Sequence, residues 1–296
     1  MHPRLDSYIR LARLDRPVGT LLLLWPTLAA LWLAAEGTPP WHLVVIFTVG
    51  TFAMRSAGCV INDYADRGWD RFVERTRQRP LTTGAVSERE ALGLFAGLTA
   101  VAAVLLVFLN PLTRALAVAA LGIAVLYPFT KRWTHLPQVV LGAAFSWAIV
   151  MAFASVRNEV PVAAWLLFVG SLLWIVAYDT LYAMVDRDDD LQVGIKSTAI
   201  LFDTADRFMV ALLQASALFV WYLLGARLEL GLFYHLGLTV ALGLFIHQQY
   251  LIRDRTREGC FRAFLDNVRV GFAFFAGVVL ETTLGSGPSP GAPGLA

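Results

Sequence analysis

Long apolar runs alternate with short polar connections along almost the whole chain. Each run is close to the roughly 20 residues that a helix needs to cross a bilayer, and the shorter runs are expected to extend into flanking polar residues. The pattern predicts an all-α polytopic membrane protein with nine transmembrane helices. The nine runs cover residues 18–35, 42–61, 91–109, 112–129, 138–156, 161–178, 208–225, 230–250 and 265–284.

The two ends of the chain depart from this pattern. Residues 1–17 carry arginines interleaved with acids, and an apolar helical stripe is formed by Leu5, Tyr8, Ile9 and Ala12. This arrangement predicts a helix on the membrane surface that ends before Pro17, and it argues against a cleavable signal. Residues 285–296 are rich in Gly and Pro and uncharged, and we expect them to be disordered.

Composition supports the membrane assignment. Hydrophobic residues make up 57% of the 296 residues and charged residues 16%, with a mean hydropathy of +0.62, values that exclude an ordinary soluble domain. The net charge of +2 does not indicate nucleic acid, so the expected surroundings are the lipid bilayer. Cys59 and Cys260 lack metal-ligand spacing and are interpreted as packing thiols without a disulfide.

Basic residues are distributed unevenly among the connections. Nearly all of the 24 Lys and Arg residues lie in the N-terminal segment and in every second connection after it. The alternate connections carry only Arg114, Arg157 and Arg227. This alternation is the positive-inside pattern, and it predicts a cytoplasmic N-terminus.

The first polar cluster directly follows the run 42–61 and contains Asn62, Asp63, Asp66 and Asp70. In a continuing helix, Asn62, Asp66 and Asp70 recur every four residues and share one part of the helix surface. Such carboxylates repel one another, whereas Mg²⁺ prefers carboxylate oxygens. The pattern is consistent with a metal site or with a solvated acidic loop.

A second acidic stretch follows the run 163–177. One face of the predicted helix carries Asp179, Tyr182, Asp186 and Asp190. A phosphate bridged by metal ions needs carboxylates from both sides, as in two-metal sites generally. Two acidic helix ends, each at the exit of a membrane span, therefore predict two halves of one divalent-metal diphosphate site.

Several cations accompany these carboxylates. Arg67 and Lys196 each follow an acidic stretch, where a diphosphate shared with the metal would need a positive partner. The other arginines of the first loop are interpreted as topology signals that contact lipid headgroups: Arg71, Arg75, Arg77 and Arg79. Arg55 and Arg269 lie within spans, where they are either functional or structurally paired.

Both acidic motifs resemble those of the intramembrane aromatic prenyltransferase superfamily. Longer strings are similar to its bacterial branch that prenylates 4-hydroxybenzoate in ubiquinone biosynthesis, and the resemblance covers about 11–280. These strings are Leu-Leu-Leu-Leu-Trp-Pro at 21–26, Tyr127-Pro128-Phe129-x-Lys131-Arg132-x-Thr134-His135-Leu136-Pro137-Gln138, and Asp179 to Asp190 with Gly194-Ile195-Lys196-Ser197-Thr198.

The resemblance implies one intramembrane domain, 1–284, in a bacterial inner membrane. Nine helices would surround a central cavity capped by the connections at about 62–90 and 179–206. A polyprenyl chain would pass from its diphosphate to the ring carbon of 4-hydroxybenzoate ortho to the hydroxyl. Mg²⁺ would neutralise the leaving diphosphate, and the dry site would protect the allylic cation from water.

The resemblance also implies a role for each polar residue. The catalytic metal–diphosphate set would be Asp66, Asp70, Asp186 and Asp190. The substrate-binding residues around it would be Asn62, Asp63, Arg67, Asp179 and Lys196. Arg132 is the candidate partner of the benzoate carboxylate, or alternatively a topology charge beside Lys131. Tyr178 and Tyr182 either stabilise the cation through their ring faces or anchor the interface.

Three other classes of protein share parts of this pattern. A CDP-alcohol phosphatidyltransferase would carry an Asp-Gly-x-x-Ala-Arg motif, which is absent from the sequence. A secondary transporter would place polar residues in mid-span, whereas these acids lie at helix exits. Related enzymes that act on naphthoate, homogentisate or haem share the Asp motifs but are not expected to share the 127–138 string.

Overall fold

Helices are the only regular secondary structure in the described residues of this computed structural model, which are 3–68, 70–72, 76–130 and 132–285. The predicted all-α class is confirmed, whereas the predicted disordered tail falls almost entirely outside these ranges. The α-helices are α1 (Pro3–Leu11), α2 (Val18–Ala34), α3 (Trp41–Asp66), α4 (Glu88–Leu106), α5 (Pro111–Thr130), α6 (Pro137–Arg157), α7 (Val162–Val193), α8 (Thr198–Phe202), α9 (Asp206–Arg227), α10 (Leu232–Leu251) and α11 (Arg257–Leu284).

Each predicted apolar run forms one long helix. In the described part of the chain, seven helical segments are long and apolar enough to cross a membrane: α3, α4, α5, α6, α7, the segment containing α9, and α11. Helix α2 is equally apolar but shorter, and α10 carries His and Gln residues near its ends. A multi-pass membrane protein is therefore established, and the number of nine spans stays a prediction.

Helix α2 lies at the centre and packs against α3, α6, α7 and α11. The core around it buries Phe153, Trp174 and Trp221 almost completely. Buried polar groups in a bilayer need partners inside the protein. Accordingly, Trp174 Nε1 donates to Asn267 Oδ1 at 2.8 Å, which ties α7 to α11.

Helices α4 and α5 form a thin wall on one side of the bundle. Only Ala91 is buried in α4, and α5 buries Thr113, Pro128 and Thr130. Apolar side chains such as Val104 and Val118 are largely exposed on the outside of this wall. In a bilayer such a surface faces lipid, so a single layer of helices separates the interior of the bundle from the membrane.

Helix α1 packs across the acidic end of α3. Leu11 is fully buried in a small cluster with Val60 of α3 and Ala91 of α4. Tyr8 Oη donates to Glu90 Oε1 at 2.8 Å. This segment is a helix, as its apolar stripe predicts, and the chain after it lies over the end of α3.

Candidate active site

A cavity of about 650 Å³ is surrounded by helices α2 to α7 and α11, all of which contribute lining residues. The loop after α3 contributes to one end of the cavity, where polar side chains gather: Arg13, Asn62, Asp63, Arg79, Asp179 and Tyr182. Because α4 runs away from that loop, the opposite end is lined by Leu105 and Leu106 in its last turn and by Leu109 just after it. The cavity is therefore polar at the acidic end of α3 and apolar beyond it.

The first acidic motif is not one continuous helix, and this part of the sequence prediction was wrong. Helix α3 ends at Asp66, and a 3-10 turn runs from Asp70 to Phe72. On a continuing helix, Asp63 and Asp70 would lie about 10 Å apart along the axis. Instead, Arg79 Nη1 lies 2.9 Å from a carboxylate oxygen of each. The turn after Asp66 brings Asp70 back toward Asp63.

Asp63 has two arginine partners that come from different parts of the chain. Arg13 Nη2 lies 3.0 and 3.2 Å from its two carboxylate oxygens, and Arg79 contacts it from the other side. Only 2% of Asp63 is exposed. A carboxylate buried to this degree needs such compensation, so Asp63 holds two cations at the polar end of the cavity.

The surroundings of Asp70 and Arg79 shift their proton affinities. Burial raises the pKa of the Asp70 carboxyl from 3.8 to about 6; Arg79 opposes this rise, and Asp63 and Asp66 add to it. Burial lowers the pKa of the Arg79 guanidinium, but the two carboxylates outweigh burial and the pKa lies above its ordinary value. Arg79 is therefore charged throughout the range in which Asp70 titrates.

The second acidic motif lies on one uninterrupted helix, as predicted. Helix α7 continues to Val193 and ends at Gly194, whose φ of 73° closes it in the left-handed conformation. Tyr178, Asp179 and Tyr182 line the cavity. One and two turns further on, Asp186 and Asp190 are partly buried.

The two motifs approach each other across the cavity. Asn62 and Asp63 of the first motif and Asp179 and Tyr182 of the second line the same polar end of the cavity. No three His, Cys, Asp or Glu side chains converge into a closed metal site within the described ranges. Mg²⁺ usually binds through one or two carboxylates and completes its coordination with water and substrate phosphate. The carboxylates at the acidic end therefore fit Mg²⁺ that arrives with a diphosphate.

The three cationic residues that were predicted to bind substrate are not among the residues that line the cavity. Arg67 Nε pairs with Glu88 at 3.0 Å, and its guanidinium lies over the Tyr64 ring. Arg132 shares a shallow recess with Arg67 and donates to the Ala65 carbonyl at 3.2 Å. Lys196 Nζ donates to the Trp133 carbonyl at 3.3 Å. Their assignments to diphosphate and benzoate stay predictions.

Sequence reasoning missed Arg13 and Arg79 as members of the site. Arg79 was interpreted as a lipid-headgroup charge, but its side chain is only 16% exposed and ion-paired with two buried carboxylates. Neither residue has a spacing signal relative to the Asp motifs. Both lie in connections that come close to α3 only after the bundle assembles.

The two arginines within spans have different surroundings. Arg55 lines the cavity, contacts Cys59 Sγ, and lies 5.8 Å from the centre of the Phe145 ring. Arg269 instead pairs with Asp266 on the same helix at 3.2 Å. Of the two alternatives for an arginine within a span, a functional role thus fits Arg55 and a structural ion pair fits Arg269. Cys59 and Cys260 are both free and buried.

The fold and the cavity together define a polytopic membrane protein suited to a molecule with an anionic head and a long apolar body. The chain belongs to the UbiA prenyltransferase family, whose family model matches residues 23–278. This confirms the superfamily that the Asp motifs predict.

Named relatives match nearly the full length of the chain. It is 58% identical over 282 residues to the 4-hydroxybenzoate octaprenyltransferase of Marinobacter nauticus, covering 95% of this chain and 96% of the relative. It is 57% identical over 278 residues to the enzyme of the same name from Chromohalobacter salexigens, covering 94% and 93%.

Solved structures share the fold. The apo structure of a UbiA homologue from Aeropyrum pernix K1 has a TM-score of 0.78 at 25% identity, covering 88% of this chain and 97% of that chain. A UbiA homologue from Archaeoglobus fulgidus bound to GPP and Mg²⁺ has a TM-score of 0.69 at 19% identity, covering 93% and 99%.

Proposed function

We propose that this chain transfers a polyprenyl group from polyprenyl diphosphate to 4-hydroxybenzoate, forming 3-polyprenyl-4-hydroxybenzoate and diphosphate in ubiquinone biosynthesis. The observation that carries the proposal is the cavity, in which carboxylates and guanidiniums line one end and apolar side chains line the rest. The names of relatives at 57–58% identity support this choice of acceptor.

The acidic residues would hold the diphosphate end of the donor together with Mg²⁺. The residues that would bind the metal are Asp66, Asp70, Asp186 and Asp190, with Asn62 hydrogen-bonded to Asp66 at 3.2 Å. When bound, Mg²⁺ supplies positive charge to the leaving diphosphate and favours ionisation of the allylic C–O bond. Asp63 positions Arg13, which lines the cavity and can contact diphosphate oxygens.

Aromatic side chains surround the place where the allylic cation would form. Tyr127, Tyr178 and Tyr182 all line the cavity beside the acidic end. Ring faces stabilise cations without acting as nucleophiles, and the apolar walls keep out water that would otherwise hydrolyse the cation. The phenol ring of the acceptor then attacks the cation, and the ring carbon loses its proton to a base.

The carboxylate of the acceptor needs a positive partner within the cavity. Arg132 is the candidate from sequence, but it lies beside Arg67 in the outer recess. Arg55 lines the cavity, and its Nε is buried without a hydrogen-bond partner among the described residues. Position therefore favours Arg55, and Arg132 remains the alternative.

The membrane orientation follows from the charge pattern. The N-terminus and both acidic motifs would lie on the cytoplasmic side of a bacterial inner membrane, where soluble 4-hydroxybenzoate and Mg²⁺ are available. Single cysteines placed at the exposed Arg71 and Leu232 test this orientation by labelling with a membrane-impermeant thiol reagent. In right-side-out vesicles only the second position is expected to react.

The test of function is direct transfer in membranes that contain the chain. The membranes are incubated with isotope-labelled 4-hydroxybenzoate, a polyprenyl diphosphate and Mg²⁺, and the product is identified by mass spectrometry. Membranes lacking the chain serve as the control, and naphthoate and homogentisate are offered in parallel. Prenylation of either alternative acceptor without prenylation of 4-hydroxybenzoate would contradict the proposal.

A further inference from the structure

One nitrogen of Arg79 holds two carboxylates of the first motif. Nη1 lies 2.9 Å from Asp63 Oδ1 and 2.9 Å from Asp70 Oδ2. The Arg79 side chain is 16% exposed and lines the polar end of the cavity, which Asp179 and Tyr182 of α7 also line. The guanidinium thus shares this end of the cavity with residues of both acidic motifs, where the proposed function places the diphosphate.

Within the group formed by Asp63, Asp70, Arg13 and Arg79, the charges balance without any metal. Asp63 and Asp70 carry two negative charges, and Arg13 and Arg79 carry two positive charges within 3.0 Å of them. A lone divalent ion that binds Asp70 brings positive charge beside the Arg79 guanidinium at a buried position, which is unfavourable. A divalent ion that arrives with diphosphate removes this cost, because its oxygens are strong acceptors for a guanidinium.

We propose, on the basis of the proposed function, that Arg79 binds the diphosphate of the donor and that Asp63 and Asp70 hold its side chain until the donor arrives. Before the donor arrives, Arg79 neutralises Asp63 and Asp70. When metal and diphosphate enter together, the metal takes the place of Arg79 on Asp70 and the guanidinium turns to the diphosphate oxygens. Asp63 retains Arg13 throughout this exchange. Metal and diphosphate therefore bind cooperatively, and neither binds well alone.

The experiment measures Mn²⁺ binding to the full chain in detergent by electron paramagnetic resonance, without any transfer reaction. Mn²⁺ is titrated alone and with saturating inorganic diphosphate, after correction for Mn²⁺–diphosphate complexes in solution. For the unmodified chain, diphosphate is expected to strengthen Mn²⁺ binding about 5- to 150-fold, the usual range of coupling between two ligands.

In Arg79→Gln the competing cation is removed. Mn²⁺ alone is expected to bind about 5-fold or more tightly than to the unmodified chain, and the strengthening by diphosphate is expected to fall by about the same factor. Arg71→Gln is the matched control, because Arg71 is exposed in the same loop and lies over the Phe72 ring. It is expected to leave both quantities unchanged.

A conservative variant covers the case in which Arg79→Gln does not fold. Arg79→Lys keeps the charge, but an ammonium group cannot reproduce the guanidinium geometry, so the strengthening by diphosphate is expected to fall severalfold. Unchanged strengthening in Arg79→Lys, or unchanged or weaker binding of Mn²⁺ alone in folded Arg79→Gln, would overturn the proposal. Normal coupling with no transfer to 4-hydroxybenzoate would instead refute the proposed acceptor and leave the exchange intact.

Discussion

The acidic end of α3 and the acidic end of α7 differ in burial and in the source of their compensating charge. Asp63, Asp66 and Asp70 are each at most 5% exposed, and Arg13 and Arg79 come from separate connections to pair with two of them. On α7, Asp186 and Asp190 are only partly buried on a regular helix. Their neighbours Asp188 and Asp189 pair with Arg257, which is 46% exposed.

This difference indicates that the two motifs do not contribute equally. The α3 motif is assembled by tertiary structure, and two of its three carboxylates are paired with arginines before any ligand binds. The α7 motif presents carboxylates at positions that helical geometry alone determines. Substitutions in the α3 motif should therefore affect both folding and ligand binding, whereas those in the α7 motif should affect ligand binding alone.

The largest effect is expected from removing one proposed metal carboxylate of either motif. Asp66→Asn and Asp186→Asn are each expected to lower transfer by at least about 100-fold at saturating Mg²⁺, since each removes negative charge that stabilises the metal–diphosphate complex. Transfer is measured in membranes at matched protein levels. Chelation by EDTA is expected to stop transfer, and added Mg²⁺ to restore it.

Asp254→Asn serves as the control for these variants, because Asp254 is exposed and pairs with the adjacent Arg253. Near-normal transfer by both Asp66→Asn and Asp186→Asn would refute the two-motif site.

The second-largest expected effect is a loss of folding stability, which should be larger for a substitution in the α3 motif than for one in the α7 motif. Asp63→Asn removes the buried partner of Arg13 and one of the two buried partners of Arg79, and it is expected to cost about 3–5 kcal/mol. Asp188→Asn breaks an exposed pair with Arg257 and is expected to cost less than about 1 kcal/mol. Thermal unfolding in detergent without metal compares the two variants. Equal losses would show that the α3 cluster carries no special structural role.

A smaller effect distinguishes the two candidates for the acceptor carboxylate. Losing one charge-assisted contact should cost about 1.5–3 kcal/mol. Arg55→Ala is therefore expected to raise the KM for 4-hydroxybenzoate by roughly 10- to 150-fold, with a smaller rise for the polyprenyl diphosphate. The opposite result, a large rise for Arg132→Ala and none for Arg55→Ala, would move the carboxylate site to the outer recess.

The smallest effect concerns pH. Because folding raises the pKa of Asp70 from 3.8 to about 6, the folded chain binds more protons than the unfolded chain between these values. Acidification through this window should stabilise the metal-free protein through Asp70, and that contribution is lost as the pH rises past about 6. Asp70→Asn should lack this gain, as unfolding temperatures at several pH values will show. If Asp70→Asn and the unmodified protein had the same pH dependence of unfolding temperature, the assignment of the raised pKa to Asp70 would be wrong.

Much of the fold was predictable from the apolar runs, because a bilayer allows few alternatives to helices of sufficient length. The continuation of α7 through Asp186 was also predictable, since no glycine or proline lies between Gly170 and Gly194. The end of α3 at Asp66 was not. The spacing of three carboxylates and one amide fits both a continuing helix and a turn that folds back.

The class of protein, the apolar segments and the residue types at the acidic helix ends are predictable from the sequence, because they depend on local hydrophobicity and helical spacing. The charges that compensate the α3 motif depend instead on how the helices pack. Arg13 and Arg79 are 50 and 16 residues away from Asp63 along the chain, yet both lie within hydrogen-bonding distance of it. The physical reason is that a buried carboxylate selects partners by proximity in space after the helices pack, which no local pattern records.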